Sequence, residues 1–134
     1  MRADHAHLVA LGHSAGYWTI SCWLDHPRLD RVVLLDGMYG FLEDYRRWIT
    51  GGDKRRLVLV ARGTRRLSLR FIGWLEGVAR RRRIPARSTR FTRAERAAKV
   101  VHIDSQFGHR ALVSSGRVIP VVLGLTDLPA LGTR

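Results

Sequence analysis

The sequence predicts an α/β fold, a parallel sheet of about four strands with helices on both faces. Apolar runs of strand length recur along the 134 residues at 7–11, 31–36, 56–61 and 99–103. They are rich in Val, Leu and Ile without polar alternation, as expected of strands covered on both faces. Between them lie segments with apolar residues at helical spacing. A regular strand–helix alternation implies a parallel sheet, and right-handed crossovers distribute the helices.

In chain order, His7-Leu8-Val9-Ala10-Leu11 is the first strand, closed by Gly12. A helix is expected over 15–26, with Trp18, Cys22, Trp23 and Leu24 on one face and Pro27 as its stop. Arg31-Val32-Val33-Leu34-Leu35-Asp36 is the second strand, closed by Gly37. Residues 37–55 form an excursion in which 41–49 can be an amphipathic helix before the Gly51-Gly52 break. The third strand is Arg56 through Ala61. Thr64 is positioned to cap a helix carrying Leu67, Phe71, Trp74, Leu75 and Val78, running into an arginine block and ending by Pro85. Residues 86–97 have little apolar pattern and read as a basic connecting loop. Lys99 through Ile103 is the fourth strand, and a last helix is expected over 111–125, interrupted in principle by Pro120.

Composition narrows the function classes. Hydrophobic residues make up 46% and charged residues 26%, a globular balance in a length that suits one domain. No apolar run approaches the roughly 18 residues of a membrane span, and residues 1–11 hold no signal-peptide core, which points to the cytoplasm. The single cysteine, Cys22, excludes a disulfide framework and a multi-thiolate zinc site. His5-x-His7 has no further ligands beside it in sequence, so no metal is expected.

The net charge is +13, and its excess is local: residues 46–96 contain 17 basic and 3 acidic side chains. Such a region can bind nucleic acid or another polyanion through arginine–phosphate contacts. The plainer alternative is that Arg80-Arg81-Arg82-Arg83 forms a solvated helix end, since no nucleic-acid motif accompanies the charge.

The segment with chemical content is Gly12-His13-Ser14-Ala15-Gly16, a G-x-S-x-G pattern between a buried strand and a helix. A tight strand-to-helix turn lifts the Ser14 hydroxyl clear of the sheet, and glycines on either side leave room for it. The Ala15 N–H is the natural oxyanion donor. A serine hydroxyl needs a base. His109 follows the fourth strand, and in a parallel sheet every such loop opens on the same edge as Ser14. His102 lies inside a strand and reads as a core residue. Asp36, at the end of the second strand, can orient the imidazole, although Asp-Gly is also an ordinary turn pair. Asp104 is a second possible acid, and the Arg62-Gly63-Thr64 loop holds none.

Taken together, Gly12-His13-Ser14-Ala15-Gly16, Val33-Leu34-Leu35-Asp36-Gly37 and Gly108-His109 before Leu112-Val113 resemble the C-terminal half of the α/β-hydrolase superfamily, over residues 6–125. The resemblance implies a serine esterase, lipase or peptidase with Ser14, Asp36 and His109 in the superfamily's nucleophile–acid–histidine order, and no cofactor. It equates the four strands with the fifth to eighth of that fold. Many members carry the acid after the seventh strand. Asp36 follows the sixth, a known alternative. The superfamily's earlier strands and second oxyanion donor precede the serine, where this chain has 13 residues. The resemblance therefore implies a truncated, weakly active or inactive fragment. Its first strand is expected at an open sheet edge prone to self-association.

Overall fold

The fold is a computed structural model that describes residues 6–84 and 90–128. Every apolar run becomes a strand. Strands β1 (Leu8–His13), β2 (Leu29–Leu35), β3 (Arg56–Ala61), β4 (Val78–Arg81) and β5 (Val100–Asp104) form one sheet in the order β1-β2-β3-β5-β4. All its pairings are parallel. Strands β2, β3 and β5 are buried on both sides, while β1 is only partly covered. In the central register, Val33 faces Val58 and Val58 faces Val101.

Alternate residues feed two cores. Val32, Leu34, Leu57, Leu59 and Val100 pack with Ile20 of α1 (Gly16–Ser21), with Tyr45, Trp48 and Ile49 of α2 (Leu42–Thr50), and with Phe71 and Ile72 of α3 (Arg65–Ile72). On the opposite face, Val33, Leu35, Val58, Val60, Val101 and Ile103 pack with Leu112 of α5 (Ala111–Ser114) and with Val118, Val121 and Val122 of α6 (Val118–Leu123). Helices thus cover both faces, as the sequence predicts. Among the described residues no helix is long and apolar enough to cross a membrane.

The strand count is five, not about four. The helix expected to reach the arginine block ends at Ile72, and Gly73 caps it. Gly77, at φ +69°, then turns the chain so that residues 78–81 join the sheet beside β5. Leu75 and Val78 still pack on the first core, so the helical spacing was satisfied by a turn and a strand instead. Arg80 and Arg81 accordingly lie on an edge strand rather than a solvated helix end. The loop read over 86–97 contains a further helix, α4 (Arg93–Ala97). A reciprocal capping box starts it: Glu95 N–H donates to Thr92 Oγ1 and Thr92 N–H to Glu95 Oε2. The last helix is broken in two by Gly116, at φ +67°. Pro120 becomes the third residue of α6, where an N–H would lack an intrahelical acceptor anyway. Pro85 and residues 86–89 lie outside the described residues, as does His5.

The strand order reverses once. The chain steps from β1 through β2 to β3, passes over one position to β4, and returns to place β5 between β3 and β4. The crossover through α3 packs on the first core, whereas Ile84 and Phe91, on the path from β4 to β5, pack on the second. The carboxyl ends of β3 and β5 therefore flank a crevice from which connections depart to opposite faces, the place where open α/β sheets bind ligands.

Candidate active site

The first turn on the carboxyl edge follows β1. Ser14 adopts φ +53°, a left-handed conformation unusual for a side-chain-bearing residue, and its N–H donates to Leu35 O at 3.1 Å. Gly12 is what lets α1 fold back so tightly, because a Cβ there would sit 2.7 Å from Ile20 Cδ1 and 3.1 Å from the Gly16 carbonyl carbon. Gly16 is different: a Cβ there meets nothing within 4 Å. The expectation that both glycines avoid collision thus holds for Gly12 and is corrected for Gly16, whose outward face is open.

Asp36 ends β2 at φ +47°, fully buried. Its carboxylate is held by three backbone donors of the next loop: Arg62 N–H at 2.9 Å, Gly63 N–H at 3.1 Å and Thr64 N–H at 2.8 Å. The Thr64 hydroxyl adds a fourth bond at 2.9 Å. Gly63 suits this cradle because a Cβ there would approach Asp36 Oδ2 to 3.2 Å. Burial pushes the Asp36 pKa up, but hydrogen bonds from Thr64, His109 and Arg62 outweigh it and hold the carboxyl well below the usual range. The group is an anion at neutral pH.

His109 reaches this anion from the loop after β5, its Nδ1 lying 2.7 Å from Asp36 Oδ2. A carboxylate only accepts, so Nδ1 carries the proton and donates, and in the neutral imidazole this leaves the Nε2 lone pair free. The imidazole stacks obliquely on His13, with centroids 4.4 Å apart. His13 Nε2–H in turn donates to the His109 carbonyl at 2.8 Å. Asp36 and His109 are therefore brought together, and His13 ties their loop to the end of β1 next to Ser14. No hydrogen bond joins Ser14 Oγ to His109 among the described residues. The Ser14 hydroxyl instead lies close enough to the phenol of Tyr39 to influence it. That phenol is held above its ordinary pKa by partial burial first and by the Asp36 charge second, with the Ser14 hydroxyl opposing them.

Asp104, the other possible acid, is engaged elsewhere by Arg65 Nε at 2.8 Å. His102 is buried within β5, and its Nε2 has no hydrogen-bond partner. Burial lowers its pKa, Asp104 opposes that, and Arg80 and Arg65 add to it, so the ring stays neutral. Ala15 precedes α1, and no described acceptor takes its N–H. Among the described residues no group of three His, Cys, Asp or Glu side chains is suited to a metal, and His7 is paired with Asp30.

A scan against protein-family models, a search of curated proteins and a search of solved structures each find no match for this chain.

Sequence reasoning missed His13, Tyr39 and the Arg62–Thr64 cradle. The cradle was passed over because that loop holds no acid. Its contribution is backbone N–H groups, which every residue but proline carries. Tyr39 belongs to an aromatic cluster beside the turn: Tyr17 lies 5.8 Å from Tyr39 and 5.9 Å from Phe41, and Trp18 lies 5.7 Å from Phe41. Phe41 is itself at φ +54°. Ser14, Asp36 and Phe41 concentrate backbone strain on one edge of the sheet, as functional sites often do.

Proposed function

We propose that the chain is a serine hydrolase of the α/β-hydrolase kind, acting on an ester or other acyl substrate. The observation that carries this reading is the 2.7 Å contact between His109 Nδ1 and an Asp36 carboxylate fixed by three backbone donors. In the proposed reaction Ser14 Oγ attacks the acyl carbon while His109 Nε2 takes its proton. The carbonyl oxygen becomes an oxyanion facing the Ala15 N–H. Collapse of that intermediate breaks the ester bond and returns the proton from His109 to the leaving alcohol. Water, deprotonated by the same nitrogen, then releases the acyl group from Ser14. The aromatic cluster of half-buried Tyr17 with exposed Trp18, Tyr39 and Phe41 offers an apolar surface for the acyl group beside the serine. This scheme requires no cofactor.

Losing one of two oxyanion donors costs about 100- to 1000-fold in rate, so the Ala15 N–H is expected to matter strongly to turnover. The test is labelling by a fluorophosphonate, followed by intact-mass measurement. One adduct is expected, absent from Ser14→Ala and slowed by His109→Ala more than by His102→Ala. A folded chain that gains no adduct would overturn the reading.

A further inference from the structure

The carboxyl edge holds a concavity lined by none of Ser14, Asp36 and His109. A cleft of about 470 Å³ opens where the strand order reverses, between the ends of β3 and β5. Arg62 and Arg65 line it from the loop and helix after β3, Arg82 and Arg83 from the segment after β4, and Asp104 and Gln106 from the loop after β5. Four arginines thus line the cleft with one carboxylate, and that carboxylate is already paired with Arg65. The side chains of Arg62, Arg82 and Arg83 donate no hydrogen bond to any described residue.

The wall is built rather than incidental. Gln106 clamps Ile84 by two bonds, accepting from its N–H at 3.0 Å and donating to its carbonyl at 3.1 Å. Arg81 bonds the Arg83 carbonyl at 3.0 Å while its head pairs with Glu95 at 2.7 Å. The first contact holds the chain carrying Arg82 and Arg83 against the loop after β5, and the second ties it to α4. Several arginines of 46–96 away from the cleft are engaged. Arg46 and Arg47 pair with Glu43 and Asp44 on α2, and Arg55 and Arg56 bond main-chain carbonyls at the amino-terminal side of the sheet. With those four engaged, the gathering of Arg62, Arg65, Arg82 and Arg83 at one cleft favours a compact polyanion there.

We propose that this cleft is a subsite for a phosphoryl group of charge −2 or more, bound by paired guanidinium forks. Resting on the hydrolase reading, the group belongs to the substrate. Strands spaced about 4.8 Å apart put the cleft roughly 10–14 Å from Ser14, so the substrate would be an acyl ester whose far end carries the phosphate. Arg62 joins the two sites, since its side chain lines the cleft while its N–H holds Asp36.

Inorganic pyrophosphate titrated calorimetrically into the Ser14→Ala chain tests the subsite without any dependence on catalysis. One site per chain is expected, weakened at least tenfold by Arg82→Gln/Arg83→Gln and less than twofold by Arg46→Gln/Arg47→Gln, an equal charge change on α2. Equal weakening by both pairs, or no saturable binding, overturns the proposal. So does tighter binding of a 20-nucleotide single strand that both pairs weaken alike, which would mark a diffuse nucleic-acid surface. Bound pyrophosphate in a chain that no fluorophosphonate labels would leave the subsite standing and remove the hydrolase reading alone.

Discussion

Asp36 Oδ2 and His109 Nδ1 meet at 2.7 Å across 73 residues of sequence. The contact exists because β2 and β5 end on the same edge of a parallel sheet, with β3 between them supplying the N–H groups that hold the carboxylate. One anion thereby serves stability and orientation together.

Removing that anion should therefore show in two measurements. Asp36→Ala leaves three backbone donors, that of Thr64 buried, without their acceptor and is expected to cost about 2–4 kcal/mol in urea unfolding. Asp36→Asn keeps the shape but turns an amide N–H₂ toward donors, and the expected loss is about 1–3 kcal/mol. Facing an amide, His109 would also favour the tautomer with Nε2 protonated, so fluorophosphonate labelling of the folded variant should slow sharply. Unchanged labelling would mean that Asp36 plays no part in orienting the base.

The two glycines of the serine turn should behave oppositely. Gly12→Ala places a methyl against Ile20 and the α1 backbone, and a loss of about 1–3 kcal/mol is expected. Gly16→Ala enters open space at the first residue of α1 and should be neutral or stabilising by up to about 1 kcal/mol. Thermal denaturation of both variants checks this, and equal destabilisation would contradict the packing described.

Acid should destabilise the fold in two stages. His102 has a lowered folded pKa, so its contribution is complete above the unfolded value of about 6.5 and is lost as pH falls through the folded one. Asp36 is lowered too, so its contribution persists above about 4 and is lost only below that. Replacing His102 with leucine should abolish the first stage and leave the second. Urea midpoints measured at pH 7.5, 5.5 and 3.5 separate them, and a leucine variant with an unaltered pH profile would refute the assignment of the first stage.

The two edges of the sheet are protected unequally. On β4, Arg80 and Arg81 oppose pairing with another chain, whereas β1 carries neither lysine, arginine nor proline. Beside β1 lies a cavity of about 260 Å³ lined by Leu8, Val9, Ala10, Trp23, His26 and Leu29, with Trp23 54% exposed. Self-association through this edge is expected. Val9→Lys should increase the monomer fraction in sedimentation, and a monodisperse unsubstituted chain at tens of micromolar would refute it.

The sequence by itself determined the α/β class, four of the five strands and the turn at Ser14. Those signals are local: unbroken apolar runs, glycines beside them, and a period that changes from one segment to the next. It also put Ser14, Asp36 and His109 on one edge, since every strand of a parallel sheet ends there. Local pattern failed at β4, where Leu75 and Val78 satisfy the same core from a turn and a strand as they would from a helix. The sequence already favoured Asp36 over Asp104, but both carboxylates end a strand and only the packing pairs one with His109 and the other with Arg65. The cradle of N–H groups around Asp36 and the arginine cleft between β3 and β5 were likewise decided there. Main-chain donors leave no trace in residue identity, and Arg62, Arg65, Arg82 and Arg83 become neighbours only when β5 inserts between β3 and β4.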